Sequence, residues 1–224
     1  MRADTRGTHT GAPKEPGLEH ERALAEQGYR LIAGVDEAGR GAWAGPVYAA
    51  AALLPVERPD LLCALEGVKD SKQLSPRRRE ALLDVVSQVA LSVGVGNASA
   101  GEIDELGIAA ATRLAMARAL EKLSPSPQAL IIDYVPLPDI ALPQRALPKA
   151  DQRCLSVAAA SIAAKVNRDR WMVELDAQYP GYGFAQHKGY GTAAHRCALA
   201  QLGPSPVHRM SWAPMRAIPE EPAP

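Results

Sequence analysis

Residues 30–54 read RLIAGVDEAGRGAWAGPVYAAAALL and contain two apolar runs separated by a glycine-rich segment. Apolar runs of this length, bounded by glycines, are typical of buried β-strands, so Arg30–Asp36 and Val47–Leu54 are predicted strands. Strands this close together in a sequence usually pair in antiparallel fashion. Leu91–Gly96 is predicted to be a third strand. This segment therefore places a sheet at the centre of the fold.

The remainder of the chain alternates between helical and strand patterns. Ser75 followed by Pro76 marks a helix start, and Ser99 with Glu102 forms a capping-box signature for another helix. Ala129–Asp133 is a short apolar strand that is predicted to lie parallel in the sheet, with a Pro-rich loop after it. The predicted helices are residues 76–90, a short helix after Ser99, and residues 108–123, 156–179 and 192–202. Strands followed by alternating helix and strand indicate a mixed α/β sheet covered by helices.

The composition is that of an ordinary single-domain globular protein. Of the 224 residues 47% are hydrophobic, and 25 Lys and Arg balance 25 Asp and Glu to give a formal net charge of zero. We expect a disordered tail over residues 1–28, one domain over 29–217 and a flexible tail over 218–224. The sequence shows neither an apolar run that could span a membrane nor a secretory signal, so we expect a cytoplasmic protein and, by default, a monomer.

Two adjacent acids, Asp36 and Glu37, end the first predicted strand, and Gly39-Arg40-Gly41 follows them. Carboxylates in an apolar setting need a cation or a metal ion, because burial penalises their charged form. The alternative is a solvent-exposed turn in which the acids cap a hairpin. Since successive side chains of a strand point to opposite faces, the two acids converge only if the strand ends or twists there. The glycines also allow backbone N–H groups to approach a sugar or a phosphate.

Two further acids occupy comparable positions. Asp133 ends the strand 129–133, and Asp151 precedes the long predicted helix. Ligand sites of open α/β sheets form at such strand ends beside helix starts. If all four acids converge, their repulsion destabilises the fold unless divalent cations neutralise it. Oxygen ligands favour Mg²⁺ or Mn²⁺ over Zn²⁺, and two such ions about 4 Å apart suit in-line attack on a phosphodiester.

Basic residues concentrate toward the C-terminus, where residues 144–216 hold ten Lys and Arg against four acids. This asymmetry is compatible with a nucleic-acid-binding face. Lys69 and Lys72 lie in a predicted loop and are candidates for phosphate contacts, whereas Lys149, close to Asp151, is a candidate for holding the scissile region. Three histidines have spacings that match no zinc motif, and we expect structural or phosphate-contacting roles for them. They are His187, His195 and His208.

Seven sequence blocks together resemble bacterial ribonuclease HII. The blocks are DEAGRG at 36–41, KDSKQLS at 69–75, LIID at 130–133, KAD at 149–151, SVAAASIAAKVNRD at 156–169, YGFAQHKGYGT at 182–192 and HRMSW at 208–212. They occur in the family's order and span about residues 31–214. The chain departs from the common pattern at Gln73, at Tyr134-Val135 and at Ala150, where the family often has Lys, Gly-Asn and Gly.

The resemblance implies a ribonuclease H-like fold, with a mixed five-stranded sheet flanked by helices and a helical C-terminal part. It implies that Asp36, Glu37, Asp133 and Asp151 are the catalytic, metal-binding acids, with two Mg²⁺ or Mn²⁺ ions as cofactors. Members of this family hydrolyse RNA paired with DNA, leaving 3′-hydroxyl and 5′-phosphate ends. They also nick duplex DNA at single embedded ribonucleotides.

The resemblance also implies how the ribose is recognised. Gly39-Arg40-Gly41 would read the 2′-hydroxyl at the RNA–DNA junction, and Tyr190 would stack on the adjoining deoxyribose. The 2′-hydroxyl distinguishes RNA from DNA, and a glycine turn brings backbone groups close to it. One alternative is a DNA-processing nuclease of the same broad fold, of the resolvase or transposase type. Another is a non-catalytic hybrid-binding protein, which would require the loss of at least one of the four acids that this sequence retains.

Overall fold

The computed structural model describes residues 15–216 and contains one five-stranded sheet with helices around it. The strands are β1 (Ile32–Ala38), β2 (Val47–Leu53), β3 (Ser92–Ala98), β4 (Ala129–Asp133) and β5 (Gln144–Leu147). The helices are α1 (Glu19–Ala25), α2 (Leu61–Ala64), α3 (Pro76–Val89), α4 (Ala100–Leu106), α5 (Ile108–Glu121), α6 (Leu155–Gln178), α7 (Phe184–His187), α8 (Ala193–Leu202) and α9 (Ala213–Arg216). Two 3₁₀ turns cover Ser71–Gln73 and Ala150–Gln152.

The strand order is β3-β2-β1-β4-β5, which puts β1 at the centre of the sheet. β1 and β3 pair antiparallel with β2, whereas β4 pairs parallel with both β1 and β5, so the predicted mixed sheet is confirmed. In the parallel pair, Val35 lies opposite Ile132. Because parallel strands end at the same edge, Asp36 and Asp133, each one residue further on, are neighbours at that edge.

Helices cover both faces of the sheet. The Ala-rich α6 packs with α3 on one face, and α5 packs on the other around the fully buried Met116. α6 lies so close to β1 that a β-carbon on Gly34 would be 2.2 Å from the carbonyl carbon of Ser156, which only glycine avoids. The end of α6 continues into a smaller cluster with α7, α8 and α9 around Phe184, which is the predicted helical C-terminal part.

The N-terminal segment differs from the prediction of a disordered tail, which is wrong for residues 19–25 because they form α1. Leu18 and Leu24 are buried, and Glu21 is 0% exposed. The carboxylate of Glu21 accepts hydrogen bonds from the N–H and the hydroxyl of Ser156, at 2.9 and 2.7 Å, so it caps the start of α6. Residues 1–14 and 217–224, where the rest of the predicted tails fall, lie outside the described residues.

Two strand predictions also need correction. β5 lies in the segment expected to be a Pro-rich loop, and its first side chain, Gln144, bonds to the backbone of Leu137 and Ile140. β1 does not end at Asp36 but continues to Ala38 through both acids. In residues 15–216 there is no helix with the length and apolar character needed to cross a membrane.

Candidate active site

The four predicted acids lie at one edge of the sheet. Asp36 and Glu37 belong to β1, Asp133 is the last residue of β4, and Asp151 lies in the 3₁₀ turn that leads into α6. The N–H of Ala150 donates a 2.8 Å hydrogen bond to Oδ1 of Asp133, which ties this turn to the end of β4. The sheet edge thus gathers acids that are separated by more than a hundred residues in the chain.

The charges of these acids act on one another. Burial, then the charges of Glu37 and Asp133, raise the pKa of Asp36 well above its ordinary value. Burial also raises the pKa of Glu37, with Asp133 adding to the rise and Arg40 opposing it. Burial, then Asp70 and Asp133, raise the pKa of Asp151 to about 6. Repulsion of this kind makes the edge of the sheet an attractive place for cations.

Two carboxylate oxygens at this edge lack a partner among the described residues. Oδ2 of Asp36 and Oε2 of Glu37 are buried and accept no hydrogen bond from any residue in 15–216. Oδ1 of Asp36 accepts the N–H of Glu37, at 2.7 Å. A buried, unpartnered carboxylate oxygen is costly, and hard divalent cations satisfy such oxygens. The donor set therefore fits Mg²⁺ or Mn²⁺, although no three acidic, His or Cys side chains in residues 15–216 already form a metal-binding group.

Lys72, a candidate for phosphate contacts, has its ammonium group close to two of the acids at this edge. Its Nζ is 3.6 Å from Oδ2 of Asp151 and 3.9 Å from Oδ1 of Asp70. Although burial opposes the change, the surrounding carboxylates raise the pKa of Lys72. Its side chain is 76% exposed, so the ammonium can leave the acids without breaking the core. Lys69 is half-buried in the same loop, and Lys149 is exposed beside the 3₁₀ turn.

Asp70 is a fifth acid that the sequence reasoning did not select. It is 5% exposed and accepts the N–H of Lys72 at 2.9 Å and Nε2 of Gln152 at 3.2 Å. Asp70 therefore holds the lysine loop against the turn that carries Asp151. The signal that could have revealed it is its position in the KDSKQLS block, directly before the lysine-containing turn.

The glycine turn after β1 is fastened by a buried arginine from the far end of the chain. The guanidinium of Arg209 donates to the carbonyls of Gly39, Arg40 and Gly45 at 2.7, 2.8 and 3.0 Å. Arg209 is 0% exposed, and burial followed by the charge of Arg168 lowers its pKa to about 9. Gly39 has a φ of 93°, and a β-carbon there would lie 1.9 Å from Nε of Arg168. Both the backbone angle and the space require glycine.

Tyr190 lies on a loop that contacts the segment after this turn. The N–H of Trp43 donates to the carbonyl of Gly189 at 2.8 Å, which joins the two loops directly. The ring of Tyr190 is partly exposed, and Lys165 and Arg168 lie 5.7 and 5.4 Å from its centroid. An exposed ring beside cations suits stacking on a sugar or base near a phosphate.

Comparisons with known proteins agree with the fold. The family model described as Ribonuclease HII matches residues 33–215. A Ribonuclease HII of Chloroflexus aurantiacus is 55% identical over 203 residues, covering 89% of this chain and 94% of that protein. The ribonuclease H2 of Pyrococcus horikoshii superposes with a TM-score of 0.70 at 30% identity, covering 83% of this chain and 95% of that one. Bst-RNase HIII in complex with Mn²⁺ has a TM-score of 0.66 at 23% identity over 83% of this chain and 68% of that one, which supports the fold alone.

Proposed function

This chain belongs to the ribonuclease HII family and is a ribonuclease that hydrolyses phosphodiesters, and from that premise we propose its substrates and mechanism. The proposed reactions are cleavage of the RNA strand of RNA–DNA hybrids and nicking 5′ of ribonucleotides embedded in duplex DNA. Both would leave 3′-hydroxyl and 5′-phosphate ends. We also propose that the protein acts as a cytoplasmic monomer.

The observation that carries the proposal is the pair of unpartnered, buried oxygens on Asp36 and Glu37 at the edge that also holds Asp133 and Asp151. We propose that these four acids hold two divalent ions. When bound, Mg²⁺ or Mn²⁺ would supply the positive charge that phosphodiester hydrolysis requires. The acids themselves would hold the cations, because β1, β4 and the 3₁₀ turn fix their backbones. Lys72 would exchange its contact with Asp151 for a substrate phosphate.

The proposed ribose contact lies beside these acids. Gly39-Arg40-Gly41 would meet the 2′-hydroxyl, and Tyr190 would stack on the next deoxyribose. Arg209 supports this proposal, because it holds two carbonyls of the turn in fixed positions. A rigid turn places its remaining polar groups reproducibly, which is what discrimination of a single hydroxyl requires. Lys69 and Lys149 would contact phosphates on either side of the cleavage point.

The test is cleavage of a DNA duplex that carries one ribonucleotide, with the all-DNA duplex beside it. We expect nicking of the first substrate only, in the presence of Mg²⁺ or Mn²⁺, and loss of activity after chelation. Cleavage of the all-DNA duplex would favour the DNA-processing alternative. Tight binding without cleavage would favour a non-catalytic hybrid-binding protein.

Replacement of Asp36 by Asn tests the proposed metal site. We expect turnover to fall by about 10³-fold or more while the protein remains folded, because the variant loses a charged ligand. Asp84→Asn is the matched control, since Asp84 is an exposed acid on α3. Wild-type turnover by Asp36→Asn would refute the assignment of this acid.

A further inference from the structure

Three histidines form a buried cluster below the Tyr190 loop. His187, His195 and His208 are 8%, 0% and 2% exposed. The rings of His187 and His195 stack with centroids 4.4 Å apart, and the rings of His195 and His208 are 5.2 Å apart. Because these rings are buried, they are not accessible to a phosphate. Their role must therefore be inferred from the hydrogen bonds that they make.

The hydrogen bonds determine which nitrogen of each ring carries the proton. The N–H of Ser205 donates to Nδ1 of His208 at 2.9 Å, so the proton of this ring is on Nε2. Nε2 of His208 lies 3.0 Å from Nε2 of His195 and must donate to it. The proton of His195 is therefore on Nδ1, which lies 3.1 Å from the carbonyl oxygen of Tyr190 and donates to it. The Tyr190 end fixes the direction, because a carbonyl only accepts. At the other end, Nδ1 of His208 accepts the Ser205 N–H at 2.9 Å, which is closer than the Ser205 carbonyl oxygen at 3.3 Å.

All three rings are neutral in this arrangement. The N–H of Gly189 donates to Nδ1 of His187 at 3.2 Å, and Nε2 of His187 lies 2.8 Å from the carbonyl oxygen of Tyr182. Burial lowers the pKa of both His195 and His208 to about 4. A second proton on His195 would lie on Nε2 and face the Nε2–H of His208, and a second proton on His208 would lie on Nδ1 and face the N–H of Ser205.

We propose that His195 and His208 are positioning residues for Tyr190. The chain of hydrogen bonds from Ser205 through His208 and His195, here called the histidine relay, fixes the peptide group that follows the tyrosine. The carbonyl of Tyr190 also accepts the N–H of Thr192 at 2.8 Å. The N–H of Tyr190 donates to the carbonyl of His187 at 3.0 Å. The backbone on both sides of Tyr190 is thus held by hydrogen bonds, while its ring is partly exposed beside Lys165 and Arg168. This inference rests on the proposed role of Tyr190 in substrate binding.

A double-mutant cycle tests the proposal. We would measure kcat/KM on the single-ribonucleotide duplex for the wild type, His195→Leu, Tyr190→Ala and the double variant. We expect His195→Leu to lower kcat/KM by about tenfold in the wild-type background and by less than about twofold when Tyr190 is already alanine. An equal loss in both backgrounds would overturn the proposal, because His195 would then not act through Tyr190.

Two further variants separate positioning from general destabilisation. His195→Asn keeps an amide donor near the Nδ1 position, and we expect it to recover most of the kcat/KM that His195→Leu loses. Thr112→Val is the control, since it removes a buried hydrogen bond to the Ile108 carbonyl inside α5, and it should leave kcat/KM unchanged. If His195→Leu does not fold, His208→Gln and His208→Leu replace the pair, because Gln keeps a donor where Nε2 stood. Equal kcat/KM for His195→Asn and His195→Leu, or for His208→Gln and His208→Leu, would overturn the relay.

A measurement without substrate decides the relay independently. Among the five histidines of the chain, the signals assigned to His187, His195 and His208 in ¹⁵N spectra of histidine-labelled protein at pH 7 should be those of neutral rings, with the proton on Nδ1 of His195 and on Nε2 of His187 and His208. A charged ring or another tautomer at His195 or His208 would overturn the relay. If the wild type cleaves no ribonucleotide-containing substrate, the proposed function fails while these spectra still decide the relay.

Discussion

Replacement of Glu21 by Leu removes the carboxylate that caps the long helix α6. Glu21 belongs to α1, and its Oε1 accepts both the N–H and the hydroxyl of Ser156. The side chain is 0% exposed, so water cannot replace the lost acceptor. Leucine has nearly the same volume and keeps the apolar contacts of α1 while deleting the cap.

The magnitude follows from the groups left behind. A buried N–H without a partner costs about 1–3 kcal/mol, and loss of the hydroxyl bond adds about 1 kcal/mol. Burial raises the pKa of Glu21, and its Oε2 has no partner in the described residues, so leucine also relieves some desolvation. We expect a net loss of about 2–3 kcal/mol in the free energy of unfolding.

Urea unfolding followed by circular dichroism measures this loss. Glu21→Gln is the matched control, because its amide oxygen still accepts both bonds, and it should remain within about 1 kcal/mol of the wild type. Ser156→Ala should lie between them, since it deletes the hydroxyl bond alone. If Glu21→Leu unfolds at the wild-type urea concentration, α1 does not cap α6 and the argument fails.

Three shorter predictions concern other parts of the molecule. Gly34→Ala should lower the free energy of unfolding by about 1–3 kcal/mol or more, because the new β-carbon meets backbone atoms of α6. Gly101→Ala is the control, since a β-carbon there has space. Equal urea midpoints for the two variants would contradict this prediction. Arg209→Met should lower the free energy of unfolding by about 3 kcal/mol or more, because it leaves three carbonyls without their donor. An unchanged urea midpoint would show that Arg209 does not hold the glycine turn. His208 has a folded pKa of about 4, below its unfolded value, so stability falls from about pH 6.5 to 4, by up to about 3 kcal/mol. Urea midpoints across this pH range should therefore fall more steeply for the wild type than for His208→Gln, and identical slopes would contradict the assignment.

Local signals were sufficient for most of the fold. The side chain of Ser75 caps α3 with Pro76 at the first helical position, and Ser99 and Glu102 form both bonds of the capping box. These features involve residues within one helical turn, so the sequence alone displays them. The strand β4 was also predicted, including its parallel pairing, because an apolar run after a helical crossover has few other placements.

Elements stabilised by distant contacts were missed. α1 has a polar composition, and its order depends on the burial of Leu18 and Leu24 and on the bond from Glu21 to α6. β5 begins with the polar Gln144 and Arg145 and is the outermost strand of the sheet, next to β4. It therefore lacks the apolar pattern of a buried strand. The contacts that stabilise α1 and β5 cannot be read from the sequence without the tertiary structure.

The candidate site divides in the same way. The four acids were selected from their positions at strand ends and helix starts, and the structure brings them to one edge. The partners that position the site were not selected, because their contacts cross long stretches of chain. Asp70 bonds to Gln152, and Arg209 bonds to the carbonyls of Gly39 and Arg40. A sequence shows the residues of such pairs but not their contact.

The fastening of the glycine turn has a consequence for synthesis on the ribosome. Gly39 and Arg40 are made early, whereas Arg209, which holds their carbonyls, lies 170 and 169 residues later. The five strands of residues 15–216 all precede residue 150, so the sheet can pair while the turn is still unfastened. A translation product that stops before residue 209 would carry all four acids on a formed sheet edge with no clamp on the proposed ribose-recognition turn. If the turn reads the ribose as proposed, the order of synthesis would delay selective cutting until Arg209 is made.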